Sequence, residues 1–192
     1  MLLDNLKEKY LLAKVKSRDK EAFAKTYDLY VDHIFRFIYF KVSNKEEAQD
    51  LTSAVFLKAW NHIQTKSIID EKSLRALIYK IARNIVIDYY RENSSKKNIE
   101  IDSEEGGLEL IDEKQNPLKE VELKSDLSVL EKNITKLKDE YREIIILRFI
   151  EELSISEIAN ILGKTNGNVR ILSYRALRAL KELMENQEFT NY

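Results

Sequence analysis

The residues in this chain best suited to recognition chemistry are basic and amide side chains gathered near its end. Lys164, Arg170, Arg175, Arg178 and Lys181 fall in a stretch that contains no Asp or Glu, although the 192-residue chain as a whole carries a net charge of −1. Arg can donate two parallel hydrogen bonds to a guanine edge, Asn166 and Asn168 can pair with adenine edges, and Ile171 or Tyr174 can meet a thymine methyl. In a helix, Arg170, Tyr174 and Arg178 form one row at four-residue spacing, and Ile171, Arg175 and Arg178 form the adjacent one. Both rows turn away from an apolar stripe begun by Val169, Leu172, Ala176 and Leu180. Such a face suits a DNA major groove. The plainer alternative is an amphipathic surface helix whose arginines are merely solvated.

Two short helices joined by a tight turn must position these groups. Ile155, Ile158, Ala159 and Leu162 recur on one helical face before Gly163 interrupts the pattern. Ser154 and Glu157 have the spacing of a capping box, Gly163 can take the left-handed conformation that ends a helix, and Thr165 can cap the next one. The expected unit is a helix-turn-helix over about residues 154–180.

The rest of the chain supports an all-α protein. One proline and four glycines leave too little punctuation for a sheet architecture. In the first block, Phe23, Tyr27, Tyr30, Ile34, Phe37 and Ile38 share a helical face. After a polar Ser43-Asn44 turn, a helix capped by Asn44 and Glu47 should bury Ala48, Leu51, Val55, Phe56 and Ala59 and end near Trp60. A further helix from Ser73 should turn Leu74, Leu77, Ile78, Ile81 and Ile85 inward, completing a small bundle. From Glu100 to Glu122 nine acids stand against two bases, with Gly106-Gly107 and Pro117, which predicts a flexible acidic linker. Periodicity returns from about Leu123, through Leu127, Leu130, Ile134 and Leu137, then Tyr141, Ile144, Ile145 and Leu147. The predicted layout is two small helical domains, 1–93 and 123–192, joined by the acidic linker 94–122.

Composition also bounds the function. There is no cysteine, so disulfides and thiolate metal sites are excluded, and the two histidines, His33 and His62, are far apart in sequence. The sequence holds no glycine-rich phosphate loop, metal-ligand cluster or nucleophile motif, so no catalytic residue, cofactor or metal is expected. A charged amino terminus and the lack of a long apolar run predict a cytoplasmic protein, without secretion or membrane insertion.

Three segments together resemble the bacterial RNA polymerase sigma factors of the sigma-70 family, extracytoplasmic-function type. EEAQDLTSAVFLKAW (Glu46 to Trp60) resembles the helix that grips the polymerase clamp. LRALIYKIARNIVIDYYR (Leu74 to Arg91) resembles the helix that opens the promoter and reads its minus-ten element. DEYREIIILRFIEELSISEIANILGKTNGNVR (Asp139 to Arg170) resembles the domain that reads the minus-thirty-five element. The pattern departs from the family at Leu74 and Leu77, where an aromatic pair is common, at Ser53-Ala54 in place of Gln-Glu, after Arg91, and at Ile171-Leu172.

The resemblance implies a dissociable subunit without catalysis of its own, whose partners are core RNA polymerase, promoter DNA both as duplex and as unpaired non-template strand, and an anti-sigma factor. It implies polymerase contacts through Asp50, Leu51, Ala54, Leu57 and Lys58. It assigns minus-ten contacts to Lys80, Arg83, Asn84, Asp88 and Arg91, with the loop at about Asn61 to Lys72 helping to pocket an extruded base. Thr165, Asn166, Asn168, Arg170, Ile171, Tyr174, Arg175 and Arg178 would face the minus-thirty-five element. For Tyr79, Tyr89 and Tyr90, packing is favoured over base stacking. The linker acids would occupy a basic polymerase channel. The rival reading is a free-standing helix-turn-helix regulator, but residues 1–93 show neither a nucleotide loop nor an alternating βα pattern. A helical protein-interaction module is the third possibility.

Overall fold

The computed structural model describes residues 2–65, 73–97, 130 and 132–188. The described elements are helical, in the order α1 (Leu2–Lys16), α2 (Lys20–Val42), α3 (Lys45–Thr65), α4 (Leu74–Lys97), α5 (Asp139–Ile145), α6 (Ile155–Leu162) and α7 (Asn166–Glu188). A short helical stretch at 132–136 precedes α5, and α5 runs on into a π-helical turn, Ile146–Ile150. No strand occurs among the described residues. Most of the predicted linker, from 98 to 122, lies outside them, as do Leu123, Leu127 and residues 66–72 of the proposed base-pocket loop.

Local capping sets the helix starts. Asp19 accepts hydrogen bonds from the Glu21 and Ala22 amides at 3.0 and 3.1 Å and so satisfies two orphan donors of α2. Ser43 ends α2 in the left-handed region at φ 56°, its amide bonded to the Tyr39 carbonyl. The Asn44 side chain accepts from the Glu47 amide at 3.1 Å, and Ser73 Oγ from the Ala76 amide at 3.2 Å. The starts at Asn44 and Ser73 are those expected from the sequence; the Asp19 cap is an addition.

Burial follows most of the expected stripes. Ile34, Phe37 and Ile38 of α2, Ala48, Val55 and Ala59 of α3, and Leu74, Ile78 and Ala82 of α4 form the core of an amino-terminal lobe. Ile134, Ile144, Leu147, Leu153, Ile158 and Val169 form that of a carboxy-terminal lobe. Truncating one of these leucines or isoleucines to Ala costs about 2–5 kcal/mol, because the lost transfer energy is compounded by a cavity. Leu74 and Leu77, which depart from the family pattern, are both buried: the position asks for an apolar filler, and leucine supplies it.

Three expectations need correction. Tyr27 is 43% exposed, because it lines an open depression between α2 and α3. Leu51 of α3 is half-buried where full burial was expected. And α3 continues past Trp60 to Thr65, with Ile63 buried one turn further on. Trp60 was a poor stop signal, since it neither lacks an amide proton nor favours a left-handed backbone.

The two lobes touch. α4 lies against α6, and α2 against the π-helical turn. A connected cluster of buried side chains extends through both lobes.

Candidate nucleic-acid and polymerase surfaces

The helix-turn-helix forms as its sequence dictates. Ser154 Oγ accepts from the Glu157 amide at 3.3 Å while Glu157 Oε2 accepts from the Ser154 amide at 2.8 Å, a complete capping box for α6. Gly163 closes α6 at φ 64°, where a Cβ would be strained even though nothing crowds it. Thr165 Oγ1 then accepts from the Asn168 amide at 3.2 Å and starts α7. With the ends fixed this way, Val169, Leu172, Ala176 and Leu180 are buried. Thr165, Asn166, Asn168, Arg170, Ile171, Tyr174, Arg175 and Arg178 are all exposed. The structure brings seven of the candidates onto the outer side of α7 and Thr165 to its cap, and Leu172 is a core residue.

From Arg170 to Arg178 the helix rises roughly 12 Å, comparable with the width of a B-DNA major groove. Its charges are not equally available. Arg178 Nε is 2.9 Å from Glu182 and Lys181 Nζ 3.4 Å from Glu185, and Lys164 Nζ is 3.0 Å from Glu140. Arg170 and Arg175 have no ion pair among the described residues. Ile171 is 54% and Tyr174 69% exposed, apolar area set between free cations.

On α4 the outward face is more heavily engaged. Asn84 is exposed and Lys80 half-buried. Asp88 pairs with Arg91 at 3.1 Å and lies 4.0 Å from Lys58 of α3, which links a candidate minus-ten residue to a candidate polymerase contact. Arg83 leaves this face. Its Nε is 3.2 Å from Glu143 of the carboxy-terminal lobe. Tyr79 is fully buried, edge-on to Phe37 at 5.4 Å, and donates to Glu151 at 2.9 Å. Burial, reinforced by the Glu151 charge, pushes its hydroxyl above the usual tyrosine range. Tyr90 donates to the Lys41 carbonyl and Tyr89 packs edge-on against Tyr90. Packing is therefore the role of Tyr79.

On α3, Asp50, Ala54, Leu57 and Lys58 are exposed, Leu57 at 64%. Sequence reasoning missed the groove beside them. Phe23 and Trp60 meet at 4.8 Å and Tyr27 and Phe56 at 4.7 Å, and together with Leu57 they line an apolar depression between α2 and α3. The signal was present in the aromatic content of α2, but a shared helical face does not say which part of it a neighbour covers.

Sequence reasoning also missed two buried acids. Glu151 is 1% exposed, and its carboxylate receives Arg36 Nε at 2.7 Å, His33 Nδ1 at 2.7 Å and the Tyr79 hydroxyl. The Glu151 carbonyl also accepts from Arg75. The bond to Glu151 raises the Arg36 guanidinium further above its usual range. Glu143, 6% exposed, receives Lys41 Nζ at 2.9 Å as well as Arg83. In each case the acid comes from one lobe and its donors from the other, a pairing across more than 50 residues that no local pattern reveals.

Among the described residues no group of acidic, histidine or cysteine side chains could hold a metal ion, and no helix is long and apolar enough to cross a membrane. The arrangement defines a two-lobed helical protein with a capped helix that exposes basic and amide side chains on one lobe and a polar, amide-bearing helix face on the other. Comparison with known proteins agrees. Residues 26–96 match the family Sigma-70 region 2, and residues 134–182 match Sigma-70, region 4. The chain is 32% identical over 182 residues to the ECF RNA polymerase sigma factor BldN of Streptomyces coelicolor, covering 94% of this chain and 67% of that protein. It is 30% identical over 182 residues to SigW of Bacillus subtilis, covering 91% and 95% respectively. In fold it resembles CnrH in complex with the cytosolic domain of CnrY (TM-score 0.68, 19% identity, 94% and 98% of the two chains). It likewise resembles RpoE bound to the anti-sigma factor NepR from Bartonella quintana (TM-score 0.69, 22% identity, 85% and 96%).

The chain belongs to the sigma-70 family, as an RNA polymerase sigma factor of the extracytoplasmic-function type. The match to region 2 as well as region 4 sets aside the free-standing regulator, which needs only the second.

Proposed function

We propose that this chain docks on core RNA polymerase through α3, reads duplex minus-thirty-five DNA through α7, and captures unpaired minus-ten DNA at the α4 face around Asn84. The division is a region-2 domain at 1–93, an acidic linker at 94–122 and a region-4 domain at 123–192. The observation that carries the DNA assignment is the exposure of eight recognition residues on a capped helix whose opposite side is core. Arg170 and Arg175 are the base readers, having no ion pair among the described residues, while Thr165, Asn166 and Asn168 address the groove from the helix start. Lys80, Asn84, Asp88 and Arg91 flank the displaced strand, and an Asn amide offers both donor and acceptor to an extruded base. Capture of that base favours the open duplex because the site binds only the open form.

Polymerase contact runs through Asp50, Leu51, Ala54, Leu57 and Lys58, with the Phe23, Tyr27 and Trp60 groove extending it. The exposed Leu57 is the anchor, since an apolar side chain among polar groups has most to gain from burial. The chain adds specificity and no covalent chemistry, works in the cytoplasm beside polymerase, and binds an anti-sigma factor, a reading supported by the similar complex of RpoE with the anti-sigma factor NepR. The test is co-purification and run-off transcription with core enzyme. Leu57→Asp should lose core binding while retaining duplex binding by α7; retention of full core affinity would remove α3 from the docking surface.

A further inference from the structure

The two buried acids of the carboxy-terminal lobe are placed where no core function requires a charge. Glu151 follows the π-helical turn, whose wide geometry ends with the Glu151 amide bonded to the Ile146 carbonyl at 2.9 Å, and the next residue, Glu152, sits at φ 53°. This irregular exit delivers the Glu151 side chain into the amino-terminal lobe, against Arg36, His33 and Tyr79. Glu143, two turns earlier, reaches Lys41 and Arg83. A buried carboxylate is tolerable only while its donors stay in place, and here every donor belongs to the other lobe.

We propose that Glu151 and Glu143 form an acidic latch that closes the carboxy-terminal lobe on the amino-terminal lobe and holds Arg83 out of reach of nucleic acid until a phosphate-bearing strand takes the place of Glu143. The second half rests on the assignment of α4 to the minus-ten strand. Glu143 acts as a phosphate surrogate: it supplies a single negative charge to Lys41 and Arg83, which a backbone phosphate can also satisfy. Strand binding and lobe closure are then mutually exclusive at Arg83, so each weakens the other by the same factor. Opening exposes two unpaired carboxylates to water, which solvates them, and frees Arg36, Lys41, Arg75 and Arg83 together.

The chain lacks cysteine, so Lys25→Cys on α2 and Asn160→Cys on α6, both exposed, accept a donor and acceptor dye in the full-length protein. Energy transfer between them reports closure, and a short unpaired oligonucleotide carrying a minus-ten non-template sequence reports strand binding. Transfer should be high in the parent and fall in Glu143→Gln/Glu151→Gln, with strand affinity rising at least about fivefold. Arg36→Gln removes the Glu151 pair from the other lobe, where the side chain is 43% exposed, and should lower transfer even if the double substitution folds poorly. Unchanged transfer in both variants overturns the latch. Lower transfer without tighter strand binding overturns the competition at Arg83. A strand that binds no form of the protein overturns the minus-ten assignment of α4, and with it the competition, while the transfer result still decides the latch.

Discussion

α4 and α7 carry similar inventories, arginine, lysine and asparagine on an outward face, yet the two faces are in different states. On α7, Arg170 and Arg175 have no ion pair among the described residues, and their neighbours Ile171 and Tyr174 are exposed. On α4, Arg83 is bound to a buried acid of the other lobe and Asp88 is tied to Arg91 and close to Lys58. The difference teaches that residue type marks a surface as competent for nucleic acid, whereas the partners of each charge decide whether it is available. The face proposed to read duplex DNA is the open one. The face proposed to capture a strand has Arg83 held by the Glu143 charge.

The comparison breaks most visibly at Glu151. Glu151→Ala leaves Arg36, His33 and Tyr79 without their acceptor and should lower stability by about 3 kcal/mol, the low end of the range for a broken buried pair because Arg36 and His33 are partly exposed. Thermal unfolding measures it, and a loss under 1 kcal/mol would mean that the seam is wet and the lobes weakly joined. Arg175→Ala should cost about 1–3 kcal/mol in promoter binding and relax preference at one base pair, whereas Lys181→Ala should weaken all sequences alike. Equal effects on every promoter would move Arg175 to the phosphate contacts. Asn84→Ala should lose about 1 kcal/mol of strand capture. It should open duplex promoters poorly yet work better on pre-melted templates, and an equal defect on both would contradict base capture. The smallest effect is expected at Ser154→Ala, which removes the α6 cap and should cost about 1 kcal/mol of stability while leaving the sequence preference intact. A changed preference would show that the cap sets the angle of α7 in the groove.

Much of the fold was legible in the sequence because its signals are local. Ser154, Glu157, Gly163 and Thr165 announce the helix-turn-helix within a dozen residues, and each does in the structure what its chemistry implies. Asn44 and Ser73 act in the same way at the starts of α3 and α4, whereas the Asp19 cap that starts α2 went unread. The exposed set on α7 followed from the period of its apolar stripe. What escaped notice depends on contacts between distant segments. Tyr27 belongs to an apolar face that is only partly covered, and Trp60 lies within α3 instead of ending it. Glu143 and Glu151 looked like two more acids in a chain rich in them, and their role requires Arg36, Lys41, Tyr79 and Arg83 from the other lobe. Arg83 shares its helix face with Asn84 only until a neighbour claims it.

The most direct test of a sigma factor with two separate readers is run-off transcription by core polymerase plus this chain on a library with the whole upstream region randomised. The account predicts transcripts that depend on the added chain and two selected blocks upstream of the start, one lost with Arg175→Ala and the other made dispensable by pre-melting. Transcription that ignores the added chain, or selection of a single block, would contradict it.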